Sequence, residues 1–446
     1  MKQFIAYYIL IKSKLRLLKP TQLLTLGFLS YVFLGTFFLS LPFSQKTEIK
    51  FIDNLFNVVS AVSTTGLTTI SVSDSYSRLG EFILMILFQL GGIGYMTISS
   101  FIIIASGKRL SHTREQILTS EYTLPKGFTI RDFVFKIFIF TVIIETMGSF
   151  MLYLEFRSAG VNNPLWSSIF HCISAFATAG FSLNNNSLEN FKTSPLVNFT
   201  ISILCYLGAL GFIVIADFWF AVRSKDYKIT FTSKIILWVT FVILFIEAPL
   251  FLLIEPSIAS YTLWEKIQIS LFQIMTSSTT AGFNTVSIGG LHSASLTLIL
   301  FAMIIGASPS GTGGGIKTTT FTALLAVTIS MLKGQTYISF FKNRVPLVRL
   351  FTAVSSVTIY LFVLTLGLFA LTLTDQQDFL KLVFESASAL GTVGLSMGIT
   401  GDLSNLGKLI LTLLMFLGRV GPLTIGLAIL YNPLEHDRIK DADLAV

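Results

Sequence analysis

Long apolar runs alternate with shorter, milder ones along the chain. The long runs lie near 21–43, 82–105, 132–156, 197–222, 235–255, 294–332, 348–373 and 408–430. Each is long enough to cross a hydrocarbon core, which takes about 20 apolar residues in a helix. The shorter runs, near 52–63, 164–177, 262–279 and 376–389, are too short and too polar to cross. They are also too apolar for ordinary loops, so they read as re-entrant half-helices. The pattern predicts an all-α integral membrane fold in which a span, half-helix, span unit occurs four times in tandem, with eight transmembrane helices and four re-entrant half-helices.

Composition agrees. Of 446 residues, 53% are hydrophobic and only 12% charged, against about 25% charged in a soluble domain. The formal charge of +8 would suit a nucleic-acid partner in a soluble protein, but here placement matters more than the sum. Twenty of the 31 Lys and Arg fall in the N-terminal 20 residues, segments 106–131, 222–234 and 332–349, and the tail from 431. The opposite side holds eight. Cytoplasmic loops carry the basic excess, so both termini are expected in the cytoplasm of a multi-pass cell-membrane protein. Before the first span the chain resembles a signal peptide's basic region, but no small-residue cleavage site follows, and the span reads as uncleaved. The expected organisation is a cytoplasmic N-terminus 1–20, repeats 21–105, 132–222, 235–332 and 348–430, cytoplasmic loops 106–131, 223–234 and 333–347, and a cytoplasmic C-terminus 431–446.

The half-helices share a sequence. FNVVSAVSTTGLT (56–68), FHCISAFATAGFS (170–182), FQIMTSSTTAGFN (272–284) and FESASALGTVGLS (384–396) align without a gap. Each has Phe first, Ser or Thr fifth, Thr ninth and Gly eleventh, and the glycines Gly66, Gly180, Gly282 and Gly394 are 114, 102 and 112 residues apart. LGGIG (90–94), LGALG (207–211), IGASP (305–309) and LGRVG (417–421) then recur in the second spans. Non-helical backbone at membrane depth is tolerated where it is buried in protein or lines a water-filled cavity. Four such turns around one axis can offer rings of carbonyls that replace a cation's hydration shell. Glycine permits the φ > 0 that turns those carbonyls inward, and half-helix C-termini aim negative dipole ends at the axis.

In these motifs the chain resembles the Trk/Ktr/HKT superfamily of potassium transporters over about residues 20–432, most nearly the bacterial Ktr-type membrane subunit. The resemblance implies K⁺ held by the backbone of Thr64, Thr65, Gly66 and Leu67, of Thr178, Ala179, Gly180 and Phe181, of Thr280, Ala281, Gly282 and Phe283, and of Thr392, Val393, Gly394 and Leu395. Sodium-selective plant relatives often carry Ser at the first filter glycine, so Gly66 favours K⁺. The resemblance also implies a homodimer and a cytoplasmic octameric ring of nucleotide-binding RCK subunits. ATP or ADP would bind that ring rather than this chain, and Na⁺ stimulation is common in the family. The basic loops would dock the ring, with Lys108, Arg109, Arg223, Lys225, Lys342 and Arg344 as the leading contributors.

Residues 294–332 would be about 58 Å long as one helix, twice the hydrocarbon core of about 30 Å. The middle, GASPSGTGGGIKTTT (306–320), holds Gly306, Pro309, Gly311, Gly313, Gly314 and Gly315 followed by Lys317. Proline and glycine break the helix there, and flexible polar backbone midway through the membrane implies a gate. In the Ktr family the corresponding segment obstructs the pore. It is not a P-loop, because Ile316 stands where glycine must precede Lys317, and GxSxG fails at Ser310.

Ionisable residues within spans default to functional roles. Arg419 aligns with Gly92, Ala209 and Ala307, which puts one cation beside the pore as a barrier or as an anchor for the gate. Glu145, Glu247 and Asp217 read as structural pairs, and Asp53 as the N-cap of the first half-helix. Broken helices also mark secondary transporters, so coupling of cation uptake to Na⁺ or H⁺ stays open on the residues alone. Four scattered histidines and the absence of HExxH argue against an enzyme.

Overall fold

A computed structural model describes residues 20–94, 129–223, 226–341 and 343–430, together with Thr97 and Ser100. The fold is helical. Repeat 1 runs through α1 (Pro20–Leu39), α2 (Phe51–Val62) and α3 (Arg78–Ile93). Repeat 2 comprises α4 (Ile130–Ser158), α5 (Pro164–Phe176), α6 (Pro195–Leu210) and α7 (Phe212–Arg223). Repeat 3 comprises α8 (Phe231–Ile254), α9 (Leu263–Ser278), α10 (Ser293–Ile304) and α11 (Thr318–Leu332). A short antiparallel hairpin (Ser339–Phe340 with Asn343–Arg344) leads to repeat 4, with α12 (Leu347–Thr374), α13 (Phe379–Gly391), α14 (Asn405–Val420) and α15 (Pro422–Leu430).

α1, α4, α8 and α12 are unbroken helices long and apolar enough to cross a membrane. The half-helices α2, α5, α9 and α13 begin and end close to the boundaries expected from sequence. Their starts are fixed by local chemistry: Pro164 at the first turn of α5, a reciprocal Thr262/Glu265 capping box on α9, and Asp378 accepting from the N–H groups of Leu380 and Lys381 on α13. The expectation for Asp53 is corrected. Lys50 occupies the N-cap without a side-chain bond, while Asp53 lies in the first turn and pairs with Lys408 of α14 at 2.8 Å, both groups buried.

That ion pair sits on the seam between the first and last repeats. α3 packs on α5, α6 on α9, α10 on α13 and α14 on α2, so each second span leans on the half-helix of the next repeat and the fourth returns to the first. The repeat's phenylalanines, Phe56, Phe170, Phe272 and Phe384, are buried and anchor the half-helices in this closed ring.

The second spans differ from expectation. Sequence predicts one broken span, yet α6 and α7 meet at a 96° bend at Gly211. Gly94, Gly211 and Gly421, the last glycines of LGGIG, LGALG and LGRVG, all have positive φ (87°, 85° and 90°), and each terminates a helix. The breaks fall at one repeat position, and Pro309 holds it in repeat 3. Lys225, Lys342 and the segment carrying Lys108 and Arg109 lie outside the described residues, as do the N-terminal residues before Pro20 and the tail 431–446.

Candidate functional site

The four T-x-G turns are built alike. At the end of each half-helix the N–H of the residue before the glycine bonds back to the fifth residue of the repeat: Thr65 to Ser60 (2.8 Å), Ala179 to Ser174 (2.7 Å), Ala281 to Thr276 (2.9 Å) and Val393 to Ser388 (2.8 Å). This is the six-to-one closure of a Schellman cap, whose left-handed position usually falls to glycine. Here it falls to threonine. Thr64, Thr178, Thr280 and Thr392 have φ of 54°, 49°, 56° and 50°, a conformation costing a β-branched residue about 1–2 kcal/mol. The sequence reading assigned positive φ to the glycines alone and missed these threonines. Their invariance across the four copies was the available clue.

The glycines two residues on are also left-handed, at 95°, 67°, 77° and 92°. Positive φ thus recurs at the first and third residue of every turn. The turns then meet in a ring with no room for side chains. A Cβ on Gly66 would lie 2.5 Å from the Ala179 carbonyl oxygen, and one on Gly180 would lie 2.7 Å from that of Ala281. Cβ atoms on Gly282 and Gly394 would collide with the carbonyls of Val393 and Thr65, which closes the circle. The side chains of Leu67, Phe181, Phe283 and Leu395 are buried in the scaffold, leaving backbone to face the axis.

Outside the ring lies a polar vestibule of about 450 Å³, lined by the four glycines, Ser182, Asn184, Glu189 and Ser396 among others. Beside it, hydrogen bonds from Asn185 and Ser71 hold the exposed Asp74 carboxyl below the ordinary carboxylate range, so the rim carries a negative charge at neutral pH.

On the opposite side the stretch 305–317 passes directly beneath the threonines. Thr64 Oγ1 donates to the Thr312 carbonyl (3.0 Å), and Thr178 Oγ1 lies 2.8 Å from Thr312 Oγ1. Gly313 and Gly314 press so closely on Thr280 and Thr392 that a Cβ would strike their hydroxyls. The segment therefore touches all four repeats. Arg419 donates to the Thr312 carbonyl, to Thr64 Oγ1 (3.1 Å), and to the Gly91 and Gly92 carbonyls. Lys317 occupies the N-cap of α11, and its ammonium donates to the Gly313 (2.6 Å) and Gly314 carbonyls. Three successive loop carbonyls are thus held by two cations.

A further attachment had not been anticipated. The N–H groups of Ser308 and Thr312 donate to the Ala209 (3.0 Å) and Gly208 (3.1 Å) carbonyls, and Phe212 N–H donates to Ser310 (3.3 Å). The loop is stitched across the bend between α6 and α7. Gly306 lies against the Gly314 carbonyl, and the Pro309 carbonyl against Gly211.

Glu145, Asp217 and Glu247, on α4, α7 and α8, belong to helices outside the T-x-G turns. Glu145 accepts from Gln89 (2.6 Å), and Asp217 accepts from Tyr227, Thr230 and Ser233. Both fit the structural role expected of them. Glu247 Oε2 is buried without a hydrogen-bond partner, so the expected pairing is not seen at that atom. Among the described residues no group of three or more His, Cys, Asp or Glu could hold a metal ion.

Comparison with known proteins extends over nearly the whole chain. The model of the TrkH family, described as cation transport proteins, matches residues 11–436. The Ktr system potassium uptake protein B of Bacillus subtilis is 32% identical over 432 residues, covering 95% of this chain and 96% of that protein. Its namesake in Vibrio alginolyticus is 33% identical over 409 residues, covering 91% and 90%. The crystal structure of the potassium transporter TrkH from Vibrio parahaemolyticus superposes with a TM-score of 0.73 at 21% identity, over 94% of this chain and 86% of that one.

Proposed function

The chain belongs to the TrkH family of cation transport proteins, and from that premise we propose that it carries potassium into the cell through the axis of its four repeats. The observation that carries this reading is the ring in which every T-x-G glycine abuts a carbonyl of the next repeat. Such a ring presents backbone oxygens at fixed spacing to a dehydrating cation. The charged rim at Asp74 and the half-helix C-termini favour a positive ion. Two relatives sharing about a third of its residues are named as potassium uptake proteins.

In this reading Thr64–Leu67, Thr178–Phe181, Thr280–Phe283 and Thr392–Leu395 form the selectivity filter. The loop from Gly306 to Lys317, held by Arg419, is the closed gate. Inward movement is driven by the membrane potential, at about 2.3 kcal/mol per elementary charge per 100 mV. Basic loops and both termini face the cytoplasm, where Arg223 and Arg344 lie on the side offered to a nucleotide-binding regulatory ring. That ring, rather than this chain, would bind ATP or ADP. The chain works as a homodimer with one pathway per subunit, and Na⁺ stimulates it.

The test is K⁺ uptake by a transport-deficient bacterium with and without a cognate ring subunit, followed by K⁺, Na⁺ and Rb⁺ flux in proteoliposomes. Growth rescue at low K⁺ is expected, with flux that follows the membrane potential. Flux that instead requires a Na⁺ or H⁺ gradient would establish the coupled-transporter reading. Gly66→Ser should weaken K⁺ over Na⁺ discrimination with expression and oligomeric state intact, because a Cβ there meets the Ala179 carbonyl. Unchanged selectivity in a well-expressed Gly66→Ser protein would count against a filter at these turns.

A further inference from the structure

The second residue of each repeat motif is polar and lies behind the turns: Asn57, His171, Gln273 and Glu385. All four are fully buried, and no step of the reading above uses them. Their contacts divide the repeats into two kinds.

In repeat 4, Ser396 donates its hydroxyl to Glu385 Oε1, and Thr400 Oγ1 donates to Oε2 at 2.9 Å. Ser396 Oγ in turn accepts the Gly398 N–H at 2.9 Å. Repeat 2 has the same construction. His171 Nδ1 lies 2.7 Å from the Ser167 carbonyl, a pure acceptor, so Nδ1 carries the proton and Nε2 offers its lone pair to the Ser182 hydroxyl at 2.9 Å. Ser182 Oγ then accepts the Asn184 N–H at 2.9 Å. Each chain runs from a buried ionisable side chain through the motif's last hydroxyl to the backbone two residues beyond it. Both serines line the vestibule.

Repeats 1 and 3 lack this chain. Asn57 accepts the Thr69 N–H at 3.3 Å and donates to the Tyr76 hydroxyl at 3.2 Å, bypassing the motif's last hydroxyl at Thr68, and both amide atoms of Gln273 are buried without a partner. Because the ring runs 1, 2, 3, 4 and back, the braced turns stand diagonally opposite each other.

We propose that Glu385 and His171 are positioning residues that brace the outer rim of the pathway at Ser396 and Ser182, and so set which monovalent cation gives up its water there. The proposal rests on the filter reading. A carbonyl ring discriminates only while its oxygens keep their spacing, and a buried, fully partnered hydrogen-bond chain in a low-dielectric site is a stiff tie to hold it.

The test is Rb⁺ uptake in proteoliposomes with Na⁺ as competitor, comparing Glu385→Ala, Glu385→Gln, Ser396→Ala and the Glu385→Ala/Ser396→Ala double variant. Gly394→Ser serves as the filter control. Glu385→Ala and Ser396→Ala should each raise the KM for Rb⁺ and strengthen Na⁺ competition by about three- to tenfold, with a smaller change in maximal rate. The double variant should match the stronger single change, and Glu385→Gln, which keeps an acceptor, should retain most of the discrimination. If Glu385→Ala does not fold, Ser396→Ala decides alone, since its side chain borders the vestibule. Wild-type KM and competition in Ser396→Ala, beside a Gly394→Ser protein that has lost selectivity, would overturn the brace and leave the filter standing. If Gly394→Ser is also unaltered, the filter reading itself falls.

Discussion

The second spans of repeats 1, 2 and 4 and that of repeat 3 solve one problem in two ways. At Gly94, Gly211 and Gly421 the helix stops at a single left-handed glycine, and in repeats 2 and 4 it resumes at the next residue. In repeat 3 the interruption extends from Ile305 to Lys317, and the freed backbone folds back beneath the ring. The long interruption is thus an enlargement of a break that all four repeats possess, rather than a foreign insertion. The short breaks also hold the long one. Gly91 and Gly92 share Arg419 with the loop, and Gly208 and Ala209 bond it directly.

Four changes test this contrast. The largest effect should come from deleting Gly313–Gly315, which removes the backbone pressed against Thr280 and Thr392. K⁺ flux should rise by about tenfold or more, corresponding to about 1.4 kcal/mol off the barrier, and should lose its dependence on a regulatory ring. Unchanged flux in folded, membrane-inserted protein would reduce the segment to a packing kink.

Arg419→Ala should raise flux by a smaller factor, because Lys317 still holds Gly313 and Gly314. Combined with the deletion, it should add clearly less than its own increment, since both act on one closed state. Full additivity in proteoliposome flux would separate the arginine from the loop.

The smallest effect compares two hinges. Gly211→Ala and Gly421→Ala carry similar backbone strain, about 1–3 kcal/mol, at φ of 85° and 90°. A Cβ at 211 meets the Pro309 carbonyl at 2.7 Å, whereas one at 421 meets only Thr424, in the helix that follows it, at 3.3 Å. Both should lower the melting temperature, but only Gly211→Ala should also raise resting flux. Equal leaks would show that the bend in repeat 2 does not hold the loop.

Much of this was legible in the chain because repetition amplifies weak signals. A lone T-x-G means little, but four copies with Phe ten residues earlier locate the half-helices within a few residues, as 164–177 against Pro164–Phe176 shows. The loop was visible because Pro309 and its glycines cannot continue a helix, and Arg419 because a mid-span charge needs a partner. Other features depend on partners distant in sequence. Asp53 looked like a cap, since nothing local announces Lys408, 355 residues away. The breaks at Gly211 and Gly421 were hidden because one glycine inside an apolar run costs only about 1 kcal/mol and usually leaves a helix intact. The left-handed threonines were hidden because local preference opposes them, and only the ring compensates.

A cation is expected to stand inside that ring, above the loop. The most direct measurement is anomalous diffraction from crystals of the full chain grown with Rb⁺ or Tl⁺ and compared with Na⁺. Density is expected on the axis within coordination distance of the carbonyls of Thr65, Ala179, Ala281 and Val393, absent or displaced in Na⁺, with none between Thr312 and Arg419 while the loop is in place. Heavy-ion density elsewhere in the membrane region, with the four-turn axis empty, would contradict it.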